Sequence, residues 1–410
     1  MDNFDNMLDK YAKLAVEVGV NIQKNQTLVI NSPIECTDFA RLLAKHAYAL
    51  GAKDVHVEWY DEEMMLMRYM NAPYEVFTKF PKWQVDKMEG FAEEGAAFIS
   101  VLASDPELLK DVDPKKIAED KKTKGVALKG YMDRIMADEV CWSVVSVPTK
   151  GWAKKVFDGL PGDEAVDKLW KAIFKTVRAD HDDIITAWQQ HLDNLERRVK
   201  FLNEKRFKTL HYISEGTDLT IDLPPDHIWC GGGEYSQKDV YFVANIPTEE
   251  VFTLPHKTGV NGKVRSTMPL NYNGNLIEGF SLTFKDGKVV DFSADRGYDI
   301  LKGILETDAG SLYLGEVALV PYDSPISNLD IIFYNTLFDE NASCHLALGA
   351  AYPTCLKGGA FMSRDALKKA GVNDSAIHED FMIGSNDLDI IGITADGKKM
   401  HIFKDGNWAF

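Results

Sequence analysis

Thiol chemistry is nearly absent from this chain. Its five cysteines (Cys36, Cys141, Cys230, Cys344 and Cys355) form no Cys-x-x-Cys pair, and their number is odd. Neither a disulfide framework nor a thiolate zinc knuckle fits that pattern. Long apolar runs are missing too. No stretch approaches membrane-spanning length, and Met1 to Val20 is charged and amphipathic, without the apolar core of a signal peptide. A cytoplasmic protein with no membrane partner is the expectation. Basic charge is the third scarcity: 46 Lys and Arg face 63 Asp and Glu, for a net charge of −17. No nucleic-acid partner is expected of such a chain, because a polyanion would be repelled. Phosphate-cradling motifs are missing as well. No Gly-x-Gly-x-x-Gly follows the first strand, no P-loop lysine motif occurs, and the one glycine run, Gly231-Gly232-Gly233, reads as a sharp turn. An acidic surplus of this kind is ordinarily a solvated surface, and it also suits a protein that gathers divalent cations.

What is present is a globular composition, 45% hydrophobic and 27% charged, on 410 residues, too long for one ordinary core. Phe4, Leu8, Tyr11, Ala15 and Val18 recur at helical spacing and predict an amphipathic helix over residues 3–19. Short apolar strands follow at 27–31, 55–59, 96–102 and 141–147. Between them, Thr37 or Asp38 is placed to cap a helix that stops at Gly51, residues 61–70 read as helix, and Asp105-Pro106 opens the next one. This alternation predicts an α/β domain with an open, mostly parallel sheet over residues 1–204, closed by a charged helix at 183–202. From residue 205 the texture changes. Asn273-Gly274, Asp286-Gly287 and Asp396-Gly397 are hairpin signals, and Ser281 to Phe284 pairs with Val289 to Phe292. Residues 205–410 therefore read as an α+β domain with mainly antiparallel strands, and the candidate chemistry falls there.

Four segments carry that chemistry. The run from Asp339 to Tyr352 brings Glu340, His345 and Tyr352 together; read as a helix, it puts His345 and Tyr352 on one face, with Glu340 offset or in the entering loop. The ordinary alternative is a core helix in which Leu346 and Leu348 pack and the polar residues decorate its start. In His378-Glu379-Asp380, the imidazole and carboxylate are two apart, so an extended segment points both the same way. Such a pair is half of a first-row metal site. Glu249 and Glu250 lie between Pro247 and Pro255, and Glu316 opens an apolar strand; taken singly, each reads equally well as a solvated acid. Together, Glu250, Glu316, Glu340, His345, His378 and Asp380 supply four carboxylates and two imidazoles. That is what two divalent ions need with one carboxylate bridging, whereas a one-metal site needs only about three ligands.

The segments Thr248-Glu249-Glu250-Val251-Phe252-Thr253, Gly315-Glu316-Val317-Ala318-Leu319-Val320, the Asp339 to Tyr352 run and His378-Glu379-Asp380-Phe381-Met382-Ile383-Gly384 occur in that order. Together they resemble the thermophilic-aminopeptidase family, the M29-type metallopeptidases. Tyr11-Ala12-Lys13-Leu14-Ala15-Val16 and Gly19-Val20-Asn21-Ile22-Gln23 extend the likeness over essentially the whole chain. The resemblance implies a metal-dependent aminopeptidase that hydrolyses peptides from their N-terminus. It places Glu250, Glu316, His345, His378 and Asp380 at metal-ligand positions, with Glu316 shared, Glu340 as a further ligand and Tyr352 beside the metals. It also implies two divalent ions (cobalt, zinc or magnesium) and a homodimer. For the reaction, the Tyr352 hydroxyl is the candidate donor to the oxyanion, and either Glu249 or Glu340 the general base. Two other readings stand beside this one. The first is a metal-dependent hydrolase of another class, such as a phosphoesterase using Lys257, Lys263 or Arg265; the second is a metal-stabilised binding protein.

Overall fold

The structure is a computed structural model describing residues 3–272 and 275–410. The turn expected at Asn273-Gly274 lies outside the described residues. The chain divides into two compact units, Met1–Gln190 with Gly233–Pro247 and His191–Gly232 with Thr248–Phe410.

In the first unit, the helix Asn3–Leu14 continues as a π-helical turn, Ala15–Gly19, and buries Tyr11, Ala12 and Leu14. Four strands follow: β1 (Thr27–Pro33), β2 (Asp54–Tyr60), β3 (Ala97–Leu102) and β4 (Trp142–Ser146). They form one sheet in the order β2-β1-β3-β4, every pair parallel. The central strands bury the apolar runs Leu28-Val29-Ile30 and Ala97-Phe98-Ile99, as a parallel sheet covered on both faces requires. Helix starts follow local chemistry, though not always at the expected residue. Asp61 caps Glu62–Asn71 by accepting from the Met64 N–H. Neither Thr37 nor Asp38 caps the helix Thr37–Ala49; the position before it is Cys36, and the Thr37 hydroxyl donates to the Ile34 carbonyl instead. Asp105 opens no helix but accepts from the Glu107 N–H in a turn, while Asp113 caps Pro114–Ala127.

The second unit holds the antiparallel half of the molecule. Its eight-stranded sheet runs in the order Lys288–Ser293, Ser281–Lys285, Val260–Arg265, Thr217–Asp222, Thr209–Ser214, Asp389–Ile393, Lys399–Lys404, Asn407–Trp408. Asp286 and Gly287, at φ of 50° and 82°, make the tight hairpin whose left-handed backbone suits a two-residue connection. Asp405-Gly406 repeats that geometry at 49° and 75°. A second, five-stranded antiparallel sheet runs His378–Met382, His345–Gly349, Leu314–Leu319, Val251–Thr253, Cys230–Gly231. One face of it packs into the unit's main core, where Val251, Val317, Leu319, Leu346, Leu348 and Phe381 join Phe207, Tyr212 and Ile390.

Candidate metal centre

Because strand residues alternate, the opposite face of the five-stranded sheet carries the residues between those core positions. That face presents Glu316 and Ala318, His345 and Ala347, and His378 and Asp380, with Glu250 at the entry to its own strand. The run that includes His345 is therefore a strand, not the helix considered from its composition. Its helical portion ends before the site, with Thr336–Asp339 as a short helix and Glu340–Ala342 as a 3-10 turn. All five residues of His345–Gly349 are buried, since the strand is paired on both edges and covered on both faces, and this overrides the helix preference of Ala and Leu. Small side chains leave room between the polar ones: Ala347 is opposite both Glu316 and Asp380, and Ala318 is opposite His345.

Two glycines set the phase. The pairing of Leu314–Leu319 slips at a bulge between Leu314 and Glu316, so that Leu314 and Val317 both face the core while Glu316 faces the site. A Cβ on Gly315, within the bulge, would stand 2.1 Å from the Ala350 carbonyl oxygen. Gly349 has a φ of +105°, and a Cβ there would stand 2.1 Å from the Ile377 carbonyl oxygen, next to the His378 strand.

The side chains meet closely. His345 Nε2 is 3.2 Å from Glu250 Oε2 and 4.0 Å from Glu316 Oε1. His378 Nε2 is 3.0 Å from Glu316 Oε2 and 3.4 Å from Asp380 Oδ1. Each imidazole is oriented from behind by a backbone carbonyl, Ser343 O at 3.0 Å from His345 Nδ1 and Ala350 O at 2.7 Å from His378 Nδ1. Donation from Nδ1 turns both Nε2 atoms toward the carboxylates, as behind metal-bound histidines. The potential ligand atoms form two triples, Glu250-Glu316-His345 and Glu316-His378-Asp380, each within 4.8 Å. Glu316 belongs to both. Glu340 belongs to neither, although it is close enough to feel the charges of Glu250, Asp380 and Glu316. The Tyr352 ring lies 4.8 Å from that of His378 and 6.1 Å from that of Phe252.

Residues that sequence reasoning passed over hold these segments in place. Asn341 is fully buried; its Oδ1 accepts the Glu249 N–H at 2.7 Å, and its Nδ2 donates to Leu337 O at 2.9 Å and approaches Glu340 Oε1 at 3.5 Å. His191 places Nε2 2.7 Å from Thr248 O and 3.6 Å from Glu249 Oε2. The only sequence signal for Asn341 is an amide beside Glu340; His191 gives none.

The cluster draws positive charge. Burial opposes protonation of His345, yet Glu250, then Asp380 and Glu316, push it up to about 10. Burial likewise opposes protonation of His378, and Asp380 and Glu316 push it up to about 12. Burial raises the Glu316 carboxyl, with His378 resisting, and raises Glu340 further with Glu250 and Asp380 adding to it. Asp380 stays below its ordinary range: burial would raise it, but His378 and His345 outweigh burial. Glu250 Oε2 and Asp380 Oδ1 are buried with no hydrogen-bond partner. Orphaned carboxylate oxygens beside imidazole nitrogens, with no thiolate among them, are a donor set that fits divalent cations. Among the described residues, the cluster's ion pairs are with His345 and His378 alone. Of the cations considered for phosphate binding, Arg265 pairs with Asp295 at 4.0 Å and Lys257 lies over the Tyr313 ring.

Comparison with known proteins agrees with this chemistry. The family model described as thermophilic metalloprotease (M29) matches residues 4–408. Aminopeptidase 2 of Geobacillus stearothermophilus is 57% identical over 410 residues, which cover 100% of this chain and 99% of that protein. Aminopeptidase AmpS of Bacillus subtilis is 54% identical over 410 residues, covering 100% of both. The solved structure of wild-type AmpT from Thermus thermophilus matches with a TM-score of 0.94 at 40% identity, over 99% of this chain and 100% of that one. The expected parallel first half and antiparallel second half are thus both found, and neither the phosphoesterase nor the binding-protein reading gains support. End-to-end identity of this order, on top of the family match, establishes that the chain belongs to the thermophilic metalloprotease (M29) family and is a peptide hydrolase.

Proposed function

We propose that this metalloprotease is an aminopeptidase with a two-metal site, Glu250, Glu316 and His345 holding one divalent cation and Glu316, His378 and Asp380 the other. The observation that carries the reading is the membership of Glu316 in both triples. Cobalt, zinc and magnesium are the candidate ions. When bound, such ions supply an acidified water and a polarised substrate carbonyl. The chain's own groups do the rest. Tyr352 donates its hydroxyl proton in a hydrogen bond to the substrate oxygen as negative charge develops there. Burial, with Glu316 and Asp380 adding, holds that hydroxyl well above the ordinary phenol range, so it remains a donor. Glu340 and Glu249, both outside the two triples, are the carboxylates left to accept a proton. Glu316, His345 and His378 stay fixed by the sheet and by the carbonyls behind the imidazoles.

All of these residues fall within 205–410, which we take as the catalytic domain, with 1–204 as the α/β domain. Among the described residues no helix is long and apolar enough to cross a membrane. The same reading takes the enzyme to be a cytoplasmic homodimer, which light scattering tests as a mass twice that of the chain. For the activity, the metal-loaded protein is offered an aminoacyl p-nitroanilide, its N-acetylated counterpart and p-nitrophenyl phosphate. Release from the first alone, lost with chelator and restored by one of the three metals, is expected. Equal cleavage of the acetylated compound, or turnover of the phosphate ester, overturns the reading.

A further inference from the structure

The first unit carries a second cluster, at the carboxyl edge of its parallel sheet. In the order β2-β1-β3-β4, the chain leaves β1 toward one side and β3 toward the other. The ends of β1 and β3 therefore bound the crevice in which open parallel sheets take ligands. Glu35 and Cys36 follow β1, Ser104 and Asp105 follow β3, and Glu62 reaches the same place from the helix after β2.

Glu62 is only 6% exposed. Its Oε2 accepts the Asp105 N–H at 3.2 Å, which fixes the carboxylate at the end of β3, and its Oε1 is buried with no hydrogen-bond partner. Burial raises this carboxyl most; Ser104 and the Asp105 N–H oppose the rise, and the acids Glu35 and Asp105 add to it. No cation is among those groups. Glu35 is exposed and Asp105 half-buried, so the cluster opens outward from a buried oxygen. The Tyr60 hydroxyl is already committed to Val101 O at 3.1 Å and does not satisfy Glu62. A metal ion does not answer the geometry, since among the described residues the triples close enough to hold one are both in the other unit. What the crevice lacks is a cation able to reach one buried oxygen while its charge is shared among acids that do not converge.

We propose that this crevice binds a ligand through a primary ammonium group, which donates to Glu62 Oε1 in the field of Glu35 and Asp105. An ammonium offers three donors on a compact charge, matching a single buried acceptor with further acceptors toward the opening. The site is independent of the metal centre and of the aminopeptidase reading.

Isothermal titration of the full-length, metal-loaded protein tests it with two probes. Putrescine stands for a free polyamine, and Nα-acetyl-lysinamide for a lysine side chain in a peptide without a free N-terminus. Saturable binding of one or both is expected, and which one binds names the source of the ammonium. Glu62→Gln weakens that binding about tenfold or more, and the exposed Glu35→Gln by about threefold, while metal content and aminoacyl p-nitroanilide hydrolysis stay at the wild-type level. Binding of neither probe by the wild type, or equal binding by wild type and Glu62→Gln, overturns the proposal. Should Glu62→Gln fail to fold, Glu35→Gln decides: weaker binding that falls with added salt supports the site, and unchanged binding refutes it.

Discussion

Replacing Asn341 by alanine is expected to loosen the proposed metal centre without touching a residue of either ligand triple. The amide joins the turn that carries Glu340 to the backbone just before Glu250, across 92 positions of sequence. Its removal leaves the Glu249 N–H without that acceptor in a buried setting, at a cost of about 1–3 kcal/mol. The Leu337 carbonyl loses its donor as well. Taking about 2 kcal/mol for the first loss, local opening at Glu249 becomes roughly 30-fold easier. By analogy with other groups behind metal ligands, cation affinity falls by about 10–100-fold. Hydrogen exchange read by mass spectrometry on peptides spanning 245–255 measures the opening, and competition with a chromophoric chelator measures the affinity. Asn341→Asp is the control, because it keeps the acceptor for Glu249 and loses only the amide donor that faces Leu337 and Glu340. Protection at Glu249 should survive in the aspartate variant and fail in the alanine variant. If Asn341→Ala exchanges and binds metal like the wild type, the amide does not position Glu250 and the reasoning fails.

Three further outcomes are expected. Glu316→Gln should release both cations, metal per chain falling toward none by atomic emission, while Asp380→Asn releases one; equal loss from the two variants contradicts a shared carboxylate. Tyr352→Phe should lower kcat by about 10²–10³ with metal content intact, and parallel loss of metal would make its role structural. Asp308 accepts the N–H groups of Gly310, Ser311 and Ala376 and the Ser375 hydroxyl, and although burial would raise its carboxyl, these bonds hold it below the ordinary range. Its folded-state pKa is the lower one, so its stabilisation is complete above about pH 4 and disappears as pH falls through the folded value. Urea unfolding followed down to about pH 3 should show a shallower acid-side decline in Asp308→Asn than in the wild type, and identical slopes would dismiss the carboxylate as a stabiliser.

Much of the candidate site's arrangement was legible because a strand has a period of two. His378 and Asp380 point the same way for that reason alone, and their separation of two residues announced it. Glu316 was visible as an acid heading an apolar strand, but its phase was not, since Leu314 and Val317 share a face only through the bulge at Gly315. His345 sits in a run whose alanines and leucines favour a helix; burial on both faces decided otherwise, and that is a property of neighbours distant in sequence. Hairpins such as Asp286-Gly287 were plain because the turn itself demands those residues. Helix starts were not always so. Asp105-Pro106 and Asp113-Pro114 are the same dipeptide, and only the second begins a helix. Asn341 stayed hidden because the partner that ties it to the site, the Glu249 N–H, lies on a segment 92 positions away.

The alternating faces of the five-stranded sheet have a consequence for quality control of the folded molecule. Sliding any of its strands by one residue would exchange inward and outward side chains, presenting Leu346 where His345 belongs or Phe381 in place of Asp380. A molecule misassembled in this way could look compact and yet retain no cation. Stoichiometric metal uptake would then count correctly threaded copies, making the ion an auditor of strand alignment as well as a participant in hydrolysis.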